Sequence, residues 1–122
     1  MKKQERVVVI GASINPERYS YRATIALKNA GHIPIPVGLR AGEISGVEIL
    51  TGTPSIPAVD SVTLYLGEAR QPVIYDYILR LMPKRIIFNP GTENEELKDL
   101  AAAKGIESIE ACTLVMLSVG NF

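Results

Sequence analysis

A short glycine-containing segment follows the first strongly apolar run of the chain and offers groups that bind phosphate. The run is RVVVI, residues 6–10, and Gly11, Ala12 and Ser13 come directly after it. Gly11 permits a tight turn and a close approach of the backbone to a ligand. A helix that begins after such a turn presents free N–H groups and a positive dipole end, which favour phosphate, and the Ser13 hydroxyl adds a donor. The alternative is that any fold of this class needs a small residue here.

Three arginines lie where their guanidinium groups could reach the same ligand. Arg18 and Arg22 lie at the start of a predicted helix, and Arg40 follows the second predicted strand. Because Arg meets phosphate through two parallel hydrogen bonds, the set favours an anionic ligand. For each arginine alone, the alternative is a solvated surface charge. Arg22, one turn beyond Arg18, also fits a plain helix surface.

The single cysteine and the single histidine limit catalysis and metal binding. Cys112 cannot form an internal disulfide or a multi-thiolate zinc site, and one histidine excludes a His-paired metal site. A helix that begins at Thr113 would place Cys112 near its positive end, where thiols become reactive, but a small apolar filler is the favoured interpretation. His32 is predicted in a surface turn far from the binding edge. We assign no catalytic residue and no metal ligand.

The elements that must position these residues alternate between strands and helices. Strands are predicted at residues 6–10, 32–37, 61–66, 84–89 and 106–111, with a small strand at 47–50 inside the irregular stretch 38–60. Helices are predicted from Glu17 or Arg18 up to the stop at Gly31, at residues 70–82 and at 95–104, and residues 112–119 form a terminal helix or strand. This order predicts a Rossmann-like, doubly wound parallel sheet of about five strands, in the order 3-2-1-4-5, with helices on both faces. Ligands bind outside the carboxyl ends of such strands.

The composition predicts one domain over residues 1–122 without a charge bias. The chain is 47% hydrophobic, and 13 Lys and Arg balance 13 Asp and Glu. Because phosphate neutralisation supplies the affinity of general nucleic-acid binders, the balance disfavours that class. A lone cysteine and the lack of an apolar run long enough to span a bilayer predict a cytoplasmic protein that does not bind membranes.

The fingerprint of dinucleotide-binding proteins is incomplete in this chain. The segment GASINPER has Gly11 but lacks the second and third fingerprint glycines. The second strand ends in Pro36, Val37 and Gly38, without an acid for a ribose diol. A different nucleotide, held by similar backbone contacts, fits better.

Three stretches of the sequence resemble the small CoA-binding domain family, the single-domain relatives of the CoA-binding module in succinyl-CoA synthetase. They are VVVIGASINPERYSYRATIALKNAGHIPIPVG, LRAGEISGVEILTGTPSI and FNPGTENEELKDLAAAKGIESIEACTLVML. The second stretch resembles the family's basic residue, short hairpin and Pro-Ser segment after the second strand. Together the three cover nearly the whole chain. The resemblance implies a Rossmann-like fold with coenzyme A across the carboxyl edge of the sheet.

The resemblance also implies which residues bind the coenzyme. They are Gly11, Ala12 and Ser13 in the phosphate turn, Asn15, Pro16, Arg18 and Tyr21 in the loop and first helical turn, Val37, Gly38 and Arg40 after the second strand, Leu66 and Gly67 at the end of the third, and Asn89, Pro90 and Gly91 at the end of the fourth. Where the family has Asn-Pro after the second strand, this chain has Val37 and Gly38. Tyr21 carries a further hypothesis, since an aromatic ring can stack on a purine.

These inferences predict a protein that binds coenzyme A or an acyl-CoA and does not catalyse a reaction alone. Succinyl-CoA synthetases need a phosphorylated histidine and a nucleotide-binding partner domain, and no suitable histidine is present here. Two alternatives stay open. One is an enzyme, either an NAD(P)-dependent reductase or an acyl transferase that uses Cys112, and the other is an interaction module that has lost its ligand. The acyl group and any homo-oligomer or protein partner are left undetermined.

Overall fold

A seven-stranded, mostly parallel sheet forms the centre of the fold in the computed structural model, which describes residues 3–122. The predicted domain over residues 1–122 thus includes two residues outside the described part. The strands are β1 (Arg6–Ala12), β2 (Ile33–Gly38), β3 (Gly42–Ile44), β4 (Val47–Thr51), β5 (Ser61–Leu64), β6 (Arg85–Phe88) and β7 (Glu107–Glu110). The helices are α1 (Tyr19–Asn29), α2 (Tyr75–Leu81), α3 (Glu95–Ala102) and α4 (Thr113–Ser118).

The doubly wound α/β class is confirmed, but the predicted five strands in the order 3-2-1-4-5 are wrong. The order is β3-β4-β2-β1-β5-β6-β7. Strand β3 pairs antiparallel with β4 in a hairpin, as the resemblance of this segment implies, although the residue pattern alone predicted only the strand at 47–50. Its two-residue turn, Ser45 and Gly46, has φ values of 50° and 83°. Two positive φ values define a turn that suits the twist of hairpin strands, which is why this irregular-looking stretch forms a hairpin.

Helices cover both faces of the sheet and bury alternate residues of β1 on opposite sides. Ile78 of α2 and Leu97 of α3 share a core with Val8. Leu27 of α1 packs beside Val7 on the other face. Because a central strand is covered on both sides, its sequence is apolar without alternation.

The helix predicted at residues 70–82 is broken at its start, and this changes the carboxyl edge. Two 3₁₀ turns, Glu68–Arg70 and Pro72–Ile74, precede α2. Pro72 has no N–H to continue a helical ladder from the preceding turn. The strand predicted at residues 61–66 also ends early, at Leu64. As a result Leu66 and Arg70 both lie in the connection between β5 and α2.

His32 does not lie in a surface turn, so that prediction is wrong. Only 9% of its surface is exposed. Its Nδ1 accepts a hydrogen bond from the Glu5 N–H at 3.0 Å, and its ring centroid lies 5.0 Å from that of Phe122. The residue precedes β2 at the amino edge of the sheet, opposite the edge at which the strands end.

Asp60 makes an acid-sensitive contact at the amino edge. Its carboxylate accepts a hydrogen bond from the Arg6 N–H at 2.8 Å and pairs with Lys84 at 3.0 Å. The Arg6 bond lowers the pKa of Asp60 below its ordinary value of 3.8, with partial burial opposing this and Lys84 supporting it.

We expect Asp60→Asn to weaken the pH dependence of stability in acid. Because the folded state depresses this pKa, the carboxylate stabilises the fold above about pH 3.8 and loses that effect as pH falls through the folded value. The free energy of unfolding in urea, measured from pH 5 to pH 2, should therefore fall less steeply in Asp60→Asn than in the wild type. Equal slopes in the two proteins would contradict the assignment.

Candidate functional site

A cleft of about 560 Å³ opens at the carboxyl ends of β1, β2, β5 and β6. Its volume falls within the roughly 300–1,000 Å³ of small-molecule sites. The cleft lies where the chain order reverses beside β1, the position at which open α/β sheets bind ligands. The residues that line it are Gly11, Ala12, Ser13, Ile14, Arg18, Tyr19, Ser20, Leu39, Arg40, Tyr65, Leu66, Gly67, Arg70, Pro90, Gly91 and Thr92.

A bulge at the end of β1 shapes the floor of this cleft. The strand continues beyond its predicted end at Ile10, and its register shifts before Ala12, which pairs with Gly38. Gly11, inside the bulge, has a φ of +91°, and a Cβ there would lie 2.9 Å from the Tyr65 carbonyl oxygen. A Cβ on Gly38 would overlap the Ala12 carbonyl oxygen. Glycine at both positions therefore lets the neighbouring backbones approach at the cleft.

The loop after β1 is held by its own side chains and leaves the start of α1 open. Ser13 Oγ accepts a hydrogen bond from the Asn15 N–H at 3.1 Å, and Asn15 Oδ1 accepts one from the Glu17 N–H at 3.0 Å. Arg18 occupies the N-cap position of α1 without a side-chain capping bond, and the first turn has no acidic residue. The N–H groups and the positive dipole end of this helix thus face the cleft without compensation.

Three arginines reach the cleft from three different connections. Arg18 precedes α1, Arg40 follows β2, and Arg70 follows β5. All three are exposed, and within residues 3–122 none of their side chains makes an ion pair or a hydrogen bond. No Asp or Glu lines the cleft. The cleft therefore has a positive potential that attracts anions.

Two further glycines leave space at the rim. A Cβ built on Gly67 or on Gly91 would meet no atom within 4 Å. Both residues line the cleft, one after β5 and the other after β6. The cleft is therefore open along this part of its rim.

The structure brings many of the residues implied by the resemblance to the cleft and leaves others outside it. Those that line it are Gly11, Ala12, Ser13, Arg18, Arg40, Leu66, Gly67, Pro90 and Gly91. Those that do not are Asn15, Pro16, Tyr21, Val37, Gly38 and Asn89. The lining residues that sequence reasoning missed are Ile14, Tyr19, Ser20, Leu39, Tyr65, Arg70 and Thr92.

The residues outside the lining have other contacts. Tyr21 packs on Ile44 and Ile49 of the β3–β4 hairpin, so its ring lies outside the cleft and the stacking hypothesis gains no support. Val37 is a buried residue of β2. Pro16 lies exposed in the loop before α1.

Asn89 supports the cleft from beneath. It is 2% exposed, and its Nδ2 donates to Thr63 Oγ1 at 2.7 Å and to the Leu64 carbonyl at 2.9 Å. Its Oδ1 accepts a hydrogen bond from the Thr113 N–H at 2.8 Å. The Asn89 side-chain amide thereby joins β5 and the start of α4 to the end of β6. Asn89 directly precedes Pro90, which lines the cleft.

We expect Asn89→Ala to lower the free energy of unfolding by about 2–3 kcal/mol, because the buried Thr113 N–H is left unpaired and two further bonds are lost. Urea denaturation followed by circular dichroism measures the change. The exposed Asn29→Ala should stay within about 0.5 kcal/mol of the wild type. Equal effects of the two substitutions would contradict the role of Asn89.

The cleft contains few groups that could act in acid–base or nucleophilic chemistry. No Cys, His, Asp or Glu lines it. Burial raises the pKa of Tyr65 to about 12, with the Thr63 and Thr113 hydroxyls opposing this, so its phenol stays protonated at neutral pH. Cys112 is half-buried at the N-cap of α4 and does not line the cleft. The transferase alternative gains no support from this position.

The fold and the cleft define a doubly wound α/β domain with an anion-attracting site where its strand order reverses. A family model described as "CoA binding domain" matches residues 5–118, and the chain belongs to this family.

Three further proteins are similar to this chain. An uncharacterized protein of known crystal structure is 48% identical, with a TM-score of 0.96 and coverage of 99% of this chain and 100% of that one. A conserved hypothetical protein from Pyrococcus furiosus is 25% identical, with a TM-score of 0.80 and coverage of 91% and 97%. The uncharacterized protein YneT of Bacillus subtilis is 26% identical over 106 residues, which are 86% of this chain and 78% of YneT.

Two features are absent from residues 3–122. None of the helices there has the length and apolar character needed to cross a membrane. The same residues contain no group of three or more His, Cys, Asp or Glu side chains that could hold a metal ion.

Proposed function

We propose that this chain binds coenzyme A or an acyl-CoA in the cleft and does not act on it alone. The observation that carries the proposal is that three arginines, none in an ion pair within residues 3–122, line one cleft with the uncapped start of α1 and without a carboxylate. Coenzyme A carries a diphosphate and a 3′-phosphate, so its negative charge lies on separate groups. The positive charge of the cleft likewise lies on arginines from separate connections. Membership of the CoA-binding domain family supports the same ligand class.

Both main-chain and side-chain groups would contact the ligand. Main-chain N–H groups at Gly11, Ala12 and Ser13 and in the first turn of α1 would hold the diphosphate, because such groups stabilise anions at helix N-termini. Arg18, Arg40 and Arg70 would complete the contacts to the phosphates. The coenzyme supplies a thiol or thioester, and the chain contributes binding and orientation.

A ligand screen by thermal denaturation tests this proposal. Coenzyme A, acetyl-CoA, 3′-dephospho-CoA, NAD, NADP and AMP are added separately. A ligand at a hundred times its Kd should stabilise the folded state by about 2.7 kcal/mol. We expect coenzyme A and acetyl-CoA to raise the Tm, and 3′-dephospho-CoA to raise it less because one phosphate is missing.

Other outcomes of the screen would contradict the proposal. A rise in Tm with NAD or NADP, and none with coenzyme A, would favour the alternative that the protein is an NAD(P)-dependent reductase. The absence of a shift with all six ligands would favour an interaction module.

A further inference from the structure

One buried amide joins two loops that form the wall of the cleft. The Gln71 side chain is fully buried, and its Nε2 donates to the Leu66 carbonyl at 2.9 Å and to the Thr92 carbonyl at 2.8 Å. Leu66 follows β5, Thr92 follows β6, and both line the cleft. The regular pairing of these two strands ends with Leu64 and Phe88. Beyond that point, the Gln71 side chain links the two loops that follow these strands.

Asn94 fixes the orientation of this amide. Its Nδ2 donates to Gln71 Oε1 at 2.9 Å and to the Tyr75 hydroxyl at 2.7 Å. Its Oδ1 accepts from the Leu97 N–H at 3.3 Å and caps α3. The two carbonyls that Gln71 meets require N–H donors, so a reversed amide would lose all three contacts. The bridge therefore has one arrangement and extends into α3.

The bridge also fixes the backbone that carries Arg70. Arg70 directly precedes Gln71 in a 3₁₀ turn in which the Arg70 N–H donates to the Gly67 carbonyl at 3.0 Å and the Gln71 N–H donates to the Glu68 carbonyl at 3.1 Å. The Arg70 side chain is exposed and forms no ion pair within residues 3–122. Its position at the cleft thus depends on this turn, whose next residue is anchored in the protein interior.

We propose that Gln71 is a positioning residue for the ligand. It acts on binding through Arg70, whose turn it holds against the loop after β6. The inference rests on the proposed binding of coenzyme A. Gln71 touches no ligand itself, since its side chain is enclosed by Leu66, Thr92 and Asn94. It holds the guanidinium-bearing turn at one distance from the loop after β6, so that the cleft is formed before the ligand binds.

A double-mutant cycle with coenzyme A, measured by isothermal titration calorimetry, tests the coupling. Gln71→Met keeps the side-chain length and removes the bridge. We expect Gln71→Met and Arg70→Ala each to raise the Kd about tenfold. The double variant should also raise it only about tenfold, because Gln71→Met already releases Arg70 from its position. A roughly hundredfold effect of the double variant, or no effect of Gln71→Met, would overturn the inference.

Two further variants separate positioning from stability. Ile86→Val trims a buried side chain of β6 away from the cleft and should leave the Kd unchanged. Asn94→Asp keeps a good N-cap residue for α3 but replaces the donor to Gln71 with an acceptor, and should raise the Kd about threefold to fivefold. This variant also serves if Gln71→Met does not fold. An unchanged Kd in Asn94→Asp would overturn the inference.

Amide hydrogen exchange in the ligand-free protein tests the bridge independently of the ligand. Gln71→Met, or Asn94→Asp in its place, should raise exchange in both residues 66–71 and residues 90–93, while Ile86→Val should not raise it there. If the wild type does not bind coenzyme A, the proposed function fails. Unchanged exchange in either segment overturns the bridge itself.

Discussion

Simultaneous replacement of Arg18, Arg40 and Arg70 by alanine is expected to weaken the binding of coenzyme A by about 1,000-fold or more. A hydrogen bond to a charged group contributes about 1.5–3 kcal/mol, so each arginine corresponds to at least about a tenfold change. The three are exposed, so the fold itself should be unaffected. Isothermal titration calorimetry measures the Kd, and circular dichroism checks the folding of the variant.

The matched control removes the same amount of charge outside the cleft. Lys3, Arg80 and Lys104 are exposed and do not line it. Lys3 precedes β1, Arg80 lies in the last turn of α2 and Lys104 follows α3, so all three lie towards the amino edge of the sheet. Their joint replacement by alanine should change the Kd by less than about threefold, because charges farther away than a Debye length are largely screened at physiological salt. Equal losses of affinity in the two triple variants would mean that net charge, and not the cleft, governs binding.

Gly11→Ala is expected to lower the free energy of unfolding by about 2–5 kcal/mol. The backbone at Gly11 has a φ of +91°, and a left-handed conformation costs other residues about 1–2 kcal/mol. The added Cβ would also lie 2.9 Å from the Tyr65 carbonyl oxygen, and overpacking of this kind costs about 1–3 kcal/mol. Urea denaturation followed by circular dichroism measures the loss.

Gly52→Ala separates the two contributions. Gly52 also has a positive φ, +74°, but a Cβ there meets nothing within 4 Å. We expect this control to lose only the conformational part, about 1–2 kcal/mol. A Gly11→Ala variant no less stable than Gly52→Ala would contradict the close approach of β1 and the Tyr65 backbone.

The sequence was sufficient for the class of fold and for the centre of the cleft. Apolar runs that end in small or polar residues predicted which segments would be covered strands. Since parallel strands end at one edge, residues as far apart as Gly11, Arg40 and Pro90 could be expected together there, and all three line the cleft. The physical rule behind this success concerns chain direction and does not require any detail of side-chain packing.

The parts of the site that the sequence did not predict depend on tertiary contacts, which no local sequence pattern contains. Arg70 was missed because helical spacing extended through residues 70–82, whereas Pro72 and the burial of Gln71 break the segment into 3₁₀ turns. The resemblance placed Tyr21 at the ligand, but the β3–β4 hairpin covers its ring, a contact between segments that are distant in the sequence.

The most direct test is a crystal structure of the protein grown with coenzyme A. We expect the diphosphate within hydrogen-bonding distance of the main-chain nitrogens of the Gly11–Ser13 turn and the first turn of α1, with Arg18, Arg40 and Arg70 each on a phosphate. A cleft that stays empty at saturating coenzyme A, or a coenzyme that binds elsewhere on the molecule, would contradict the account.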